Sequence, residues 1–151
     1  MNEEIKILIF CINNEYYAAD IMEVERILGY EVPTPLPDSP PFIEGVRNYE
    51  GSILPILKLS KRFSLVEDKT KDINDSKVIV AKDGNSKLGI LVDVVSEVRD
   101  IKIENIEEPP EIMKGISKRY MKGLIKFEEK IIIFLNLKSI LTDDEKKAIE
   151  G

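Results

Sequence analysis

The chain reads as an all-β protein built of two small, related barrels, and three observations predict it. Apolar residues fall in short, β-branched runs bounded by turn residues, at the spacing of sandwiches and barrels. Five of the eight prolines crowd into Pro33–Pro41, which excludes a helix interior or a central strand there. One stretch also repeats: Phe42–Leu59 aligns without a gap on Tyr120–Leu137 at a constant offset of 78.

The elements follow in order. Ile5–Ile12 is the first strand, closed by Asn13-Asn14, with Glu15–Asp20 as the returning arm of a hairpin. Ile21, Val24 and Ile27 are spaced by three and predict one short helical turn over Ile21–Ile27. Past the proline-rich loop, strands are expected at Gly45–Tyr49 and Ser52–Leu59, joined by the tight turn Tyr49-Glu50-Gly51-Ser52 that Gly51 permits. Glu67–Ser76 is polar and charged and reads as a connector. Lys77–Ala81, Leu88–Asp93, Arg99–Ile103, Gly123–Phe127 and Lys130–Leu137 complete the strands, with a turn at Asp83-Gly84-Asn85. Thr142 and Glu145 have the spacing of a capping box and open a short C-terminal helix.

The repeat is like-for-like. Gly45 meets Gly123, Glu50 meets Glu128, Ile53 meets Ile131 and Leu57 meets Leu135. Tyr49 meets Phe127, and upstream Lys6–Ile9 resembles Lys77–Val80. Two barrels made from one plan account for this, each too small to stand comfortably alone. If so, Gly45 and Gly123 answer the same backbone demand, a close approach or a positive φ.

Composition removes several classes of chemistry. With no His, a Ser-His-Asp triad, a Cys-His pair and a His-ligated zinc site are impossible, and one Cys excludes an intramolecular disulfide. Cys11 lies in a strand-like run and reads as a small core residue. The 22 basic against 28 acidic residues, net −6, argue against nucleic acid or an anionic membrane as the main partner. Met1 to Glu4 lacks the basic start of a secretory signal, and the longest apolar runs fall far short of the ~20 residues of a spanning helix. The expectation is a soluble cytoplasmic chain with no direct membrane insertion.

Candidate catalytic groups are weak. Asp20 and Asp93 occupy comparable points in the two halves, but neither precedes the small hydroxyl residue and Gly of a paired-aspartate site. Both read as caps or strand-end turns. Asp143-Asp144-Glu145 and Glu107-Glu108 lack the alternate spacing of a calcium loop, so no metal and no cofactor is expected. Ser39, Ser52 and Ser60 have no activating base other than Lys. What remains is a constellation suited to binding: Val24, Arg26, Gly45, Asn48, Glu50 and Gly51, in segments flanking the proline-rich loop.

Those residues belong to a longer pattern. Tyr17-Ala-x-x-Ile21-x-x-Val24-x-x-Ile27 is followed by Pro35-x-Pro37, then by Phe42-Ile-x-Gly45-Val46-x-Asn48-x-x-Gly51-x-Ile53-x-Pro55-Ile56-x-x-Leu59. Gly89-x-x-Val92-Asp93-x-Val95 and Tyr120-x-x-Gly123-Leu124 complete it. Over residues 5–141 the chain resembles the CheW family of bacterial chemotaxis coupling proteins. The resemblance implies a single domain over 1–151 made of two intertwined five-stranded SH3-like barrels. The pseudo-halves fall at about 13–64 and 77–141, with 5–12 joining the second. It implies a non-catalytic adaptor that couples the cytoplasmic tips of methyl-accepting chemoreceptors to the regulatory domain of the histidine kinase CheA. The positions matching its receptor-facing residues are Val24, Arg26, Gly45, Glu50, Lys77 and Val95, while Asn48, Gly51 and Gly123 read as structural turn residues. Arg26 and Glu50 reverse the charges the family usually carries at those two places. A paired swap predicts that they contact each other within ~4 Å. Barrel-end pairing with the kinase predicts exposed apolar surface on the half spanning 13–64.

Two other classes stay open at this point: a CheW-like scaffold of a non-chemotaxis signalling array, and a small ligand-binding β-barrel. The last would want an aromatic-lined groove, and the chain has no Trp.

Overall fold

A computed structural model describes residues 3–111 and 116–150. Among the described residues eleven strands form two sheets, with short helices between and after them. The strands are β1 (Glu4–Ile12), β2 (Glu15–Asp20), β3 (Val24–Gly29), β4 (Ile43–Tyr49), β5 (Ser52–Lys58), β6 (Lys77–Asp83), β7 (Ser86–Val92), β8 (Val94–Lys102), β9 (Ile106–Glu107), β10 (Met121–Phe127) and β11 (Lys130–Leu135). The helices are α1 (Leu59–Arg62), α2 (Ile116–Tyr120) and α3 (Asp143–Glu150).

One sheet runs β8-β1-β2-β11-β10-β9 and the other β3-β6-β7-β5-β4. The first therefore has six strands where five were expected, because the two-residue β9 pairs with β10. The boundaries 13–64 and 77–141 follow the repeat along the chain, but they do not divide the sheets. The hairpin β6–β7, from the later stretch, lies with β3, β4 and β5, and β2 joins β1 beside β8 and β11. Each sheet thus exchanges its hairpin with the other. Hydrophobic patterning explains why. In β1, Ile7 and Ile9 face one core while Leu8, Phe10 and Ile12 face another, so both faces of the strand are covered. In β6, Val78 and Val80 face the second barrel's interior, and Ile79 and Ala81 face the shared core. A strand buried on both sides reads as a continuous apolar run, as these two do.

Three cores result. One fills each barrel, around Ile125 and Ile132 in the first and around Leu54 and Ile56 in the second. The largest lies between the sheets, and a row of rings, Phe10, Tyr17, Phe63 and Tyr120, runs through it at centroid spacings of 6.0, 6.1 and 5.4 Å.

The repeat is visible in the backbone. β4 and β10 lie 78 residues apart at both ends, and each carries a register shift at its glycine, between Ile43 and Gly45 and between Met121 and Gly123. Glu50 and Glu128, at equivalent tips, have φ of 50° and 56°. A Cβ on Gly45 would stand 2.2 Å from the Thr34 carbonyl oxygen, and one on Gly123 would stand 2.7 Å from that of Glu107. Both glycines therefore admit a second backbone across the bulge, and Gly45 alone also has a left-handed φ, +145°.

Several expectations need correction. Only Ile21–Glu23 is helical, a 3-10 turn capped by the Asp20 carboxylate, which accepts from Met22 N at 2.9 Å; Val24 already opens β3. The ladder with β6 outweighs the three-residue spacing. β8 begins at Val94, not Arg99, because most of this edge strand is exposed and shows no alternation. Asn48 and Gly123 are not turn residues: Asn48 pairs with Ile53 within the β4–β5 ladder, and Gly123 lies inside β10. The turn itself is Glu50-Gly51, with φ of 50° and 80°, the two positive values a type I′ hairpin requires. The capping box is reciprocal: Glu145 N donates to Thr142 Oγ1 at 3.1 Å, and Thr142 N donates to Glu145 Oε1 at 2.8 Å.

Candidate functional site

The five-stranded sheet ends on β3 and β4, and its barrel closes where these two edges meet. No backbone ladder joins them; side chains do. Tyr49 Oη donates to Glu25 Oε2 at 2.6 Å, and Lys87 Nζ reaches the same carboxylate oxygen at 3.0 Å. Arg47 Nη1 donates to the Gly29 carbonyl at 2.9 Å, and its other arm pairs with Glu31 at 3.2 Å. At the tip, Arg26 Nη1 lies 3.0 Å from Glu50 Oε1, with the guanidinium carbon 5.9 Å from the Tyr49 ring centroid. The hydrogen bond to Glu25 pushes the Tyr49 hydroxyl pKa up to about 12, and the same bond holds the Glu25 carboxyl below its ordinary value.

The expected receptor-facing positions fall around this seam unevenly. Arg26 and Glu50 touch, and both remain about half exposed. Gly45 sits on β4 beneath Thr34, whose N–H donates to Val46 O at 2.8 Å and whose carbonyl accepts from Val46 N at 2.9 Å. Val24 opposes Ala81 at the start of the β3–β6 ladder, whereas Lys77 opposes Gly29 at its far end, roughly 14 Å along the strands. Val95 belongs to the other sheet, opposite Phe10. Val24 and Val95 nevertheless share an environment, since both are half-buried against the core between the sheets. They are 71 residues apart, the offset that also relates Lys6 to Lys77.

Sequence reasoning missed Glu25, Arg47 and Lys87, the side chains that close the barrel. Charged residues on half-exposed strands look alike in a sequence, and only the meeting of β3 with β4 distinguishes these. Among the most exposed large apolar residues, Met22, Val32 and Ile53 lie within 13–64, at 77%, 82% and 76%. Ile131, the counterpart of Ile53, is 59% exposed, so apolar exposure is shared by both halves.

The acids once considered for catalysis are engaged otherwise. Asp20 caps a 3-10 turn, and Asp93 accepts from Asn13 N at 2.8 Å and pairs with Lys71 at 3.1 Å. Burial pushes the Cys11 thiol pKa up, away from reactivity. Among the described residues no group of His, Cys, Asp and Glu could hold a metal ion, and no helix is long and apolar enough to cross a membrane.

The family description "CheW-like domain" matches residues 6–145. The chemotaxis protein CheW of Klebsiella aerogenes is 33% identical over 144 residues, covering 95% of this chain and 86% of that protein. CheW of Treponema pallidum is 29% identical over 147 residues, with the same coverage. The crystal structure of the scaffolding protein TtCheW from Thermoanaerobacter tengcongensis superposes with a TM-score of 0.80 at 34% identity, over 89% of this chain and 90% of that one. The two exchanged SH3-like barrels agree with these matches: the chain belongs to the CheW family of non-catalytic chemotaxis scaffolds.

Proposed function

We propose that this protein couples the cytoplasmic tips of methyl-accepting chemoreceptors to the regulatory domain of the histidine kinase CheA, and acts in the cytoplasm where those two meet. Family membership supports the reading, and the observation that carries it is the contact between Arg26 and Glu50, 3.0 Å apart at the exposed end of the β3–β4 seam. Two positions matching the family's receptor-facing residues, both with reversed sign, form one unit. The pair sits at the exposed end of the seam and inverts the polarity offered to a receptor helix. Val24 and Val95 supply apolar contact from the core between the sheets, and Gly45 and Lys77 complete the receptor face. Charge complementarity at such a rim governs partner choice more than raw affinity.

The test is a pair of separate pull-downs, one with a receptor-tip fragment and one with the CheA regulatory domain. Both are expected to bind. Glu50→Arg should weaken capture of the tip while sparing the kinase domain. Loss of neither, or of both equally, would remove the assignment of this face to the receptor.

A further inference from the structure

Glu23 is the one charged residue buried among the described residues, 5% exposed. It ends the 3-10 turn Ile21–Glu23, on the crossover by which the chain leaves β2 in the six-stranded sheet and enters β3 in the five-stranded one. Both carboxylate oxygens are taken. Lys122 Nζ donates to Oε1 at 2.9 Å, and Lys138 N, in the 3-10 turn Leu137–Ser139, donates to Oε2 at 3.1 Å. Lys122 is the extra residue of the β10 bulge between Met121 and Gly123, and its ammonium also lies 5.4 Å from the Phe134 ring centroid. A bulge re-aims a side chain out of the regular alternation. In the repeat Lys122 corresponds to Glu44, the extra residue of the β4 bulge, which pairs at 3.1 Å with Lys61 on α1. The Glu44 pair stays within 13–64. The Lys122 pair reaches from the later half of the repeat into the earlier one, across 99 residues.

We propose that Glu23 is a positioning residue: its carboxylate, held by Lys122 and the Lys138 amide, fixes where β3 begins and so sets the placement of Val24 and Arg26. The backbone ladder leaves that placement under-determined. Val24 opposes Ala81 and Arg26 opposes Val80, so the β3–β6 register slips within two residues of Glu23. Hydrogen bonding is interrupted at such a slip, and the first residue of the strand needs another anchor. Glu23 supplies one from the six-stranded sheet, through β10 and the turn that follows β11. Stability alone does not account for the pair. A buried carboxylate and its cation are costly to desolvate, and apolar side chains of similar size serve a core as well or better. What the pair adds is direction, because two donors converge on one carboxylate and orient it. The consequence for binding rests on the receptor-coupling reading above; the consequence for the backbone of β3 does not.

The test uses the full chain, labelled with nitrogen-15, as wild type, Glu23→Gln, Lys122→Met and the double variant. Glu23→Gln keeps an oxygen for the Lys138 amide and removes only the charge, and Lys122, whose side chain is 33% exposed, can turn its ammonium to water. This variant should fold, yet amide exchange at Val24, Glu25 and Arg26 should quicken by roughly tenfold relative to β6 and β7. Lys122→Met strands the buried carboxylate and should do more harm, and adding Glu23→Gln to it should recover part of the loss, the mark of a coupled pair. Capture of a receptor-tip fragment by Glu23→Gln should fall by roughly tenfold, while capture of the CheA regulatory domain holds. Unchanged exchange at Val24–Arg26, or faster exchange spread evenly over both sheets, would overturn the proposal. Equal loss of both captures would also overturn it, since the residue would then serve the fold alone. Failure of the wild type to capture the tip would instead strike the receptor reading and leave the exchange result to decide the role of Glu23.

Discussion

Arg26 and Glu50 face each other across the line where β3 meets β4, Nη1 to Oε1 at 3.0 Å, and Tyr49 lies against the guanidinium. The two residues belong to opposite edges of one sheet and meet because that sheet curls shut. As an exposed pair it adds little stability, within ~0–1 kcal/mol. Arg26→Glu should therefore shift the urea midpoint only slightly while weakening capture of a receptor-tip fragment. Combining it with Glu50→Arg should restore the pair and the midpoint. Unfolding of the single variant at native conditions would show that the seam depends on this pair far more than its exposure allows.

Gly45 and Gly123 should differ in cost despite equivalent positions. Gly45→Ala meets both a left-handed φ and the Thr34 carbonyl 2.2 Å away, so roughly 2–3 kcal/mol of destabilisation is expected. Gly123→Ala meets Ile106 and Glu107 of a two-residue edge strand, which can shift, and should cost about 1 kcal/mol less. Denaturant titrations of the two variants check the order.

Stability should fall in strong alkali through Tyr49. Its folded pKa is raised from 10.0 to about 12 by the bond to Glu25, so its contribution is complete below pH 10 and disappears as pH rises toward 12. Glu25 acts in the opposite direction: its pKa is lowered from 4.5, so its contribution is present above that pH and fades as acid is added. Tyr49→Phe should remove its part of the alkaline dependence and reduce the acid one. Urea midpoints measured from pH 8 upward decide the matter, and an unchanged alkaline slope in the variant would contradict it.

Arg62 clamps the C-terminal helix. Its side chain is only 9% exposed, pairs with both oxygens of Glu145 at 2.9 Å and donates from Nε to the Ile140 carbonyl at 2.9 Å. It also lies over the Phe42 and Tyr120 rings, 4.4 and 5.1 Å from their centroids. Arg62→Ala should cost about 2–4 kcal/mol and speed amide exchange across α3, and Arg62→Lys should recover only part, because lysine cannot form the paired contact. Hydrogen exchange resolved along the chain reads this out.

Local chemistry sufficed for much of this molecule. Asn13-Asn14 and Glu50-Gly51 close hairpins because two-residue turns need positive φ at those places, and Thr142 with Glu145 starts a helix because each satisfies the other's free N–H. The offset of 78 was readable because β4 and β10 meet the same bulge and the same crossing backbone. Apolar runs at β1 and β6 announced strands covered on both faces, without saying by what. Which sheet each hairpin joins was settled by packing between distant segments, since β2 pairs with β11 and β7 with β5 in parallel ladders that no local signal specifies. β8 shows no alternation because most of its residues face solvent, so its start could not be placed. The charge pair at Arg26 and Glu50 could be suspected from two reversed signs. The seam around it exists only once the sheet closes and brings charges from separate strands within reach.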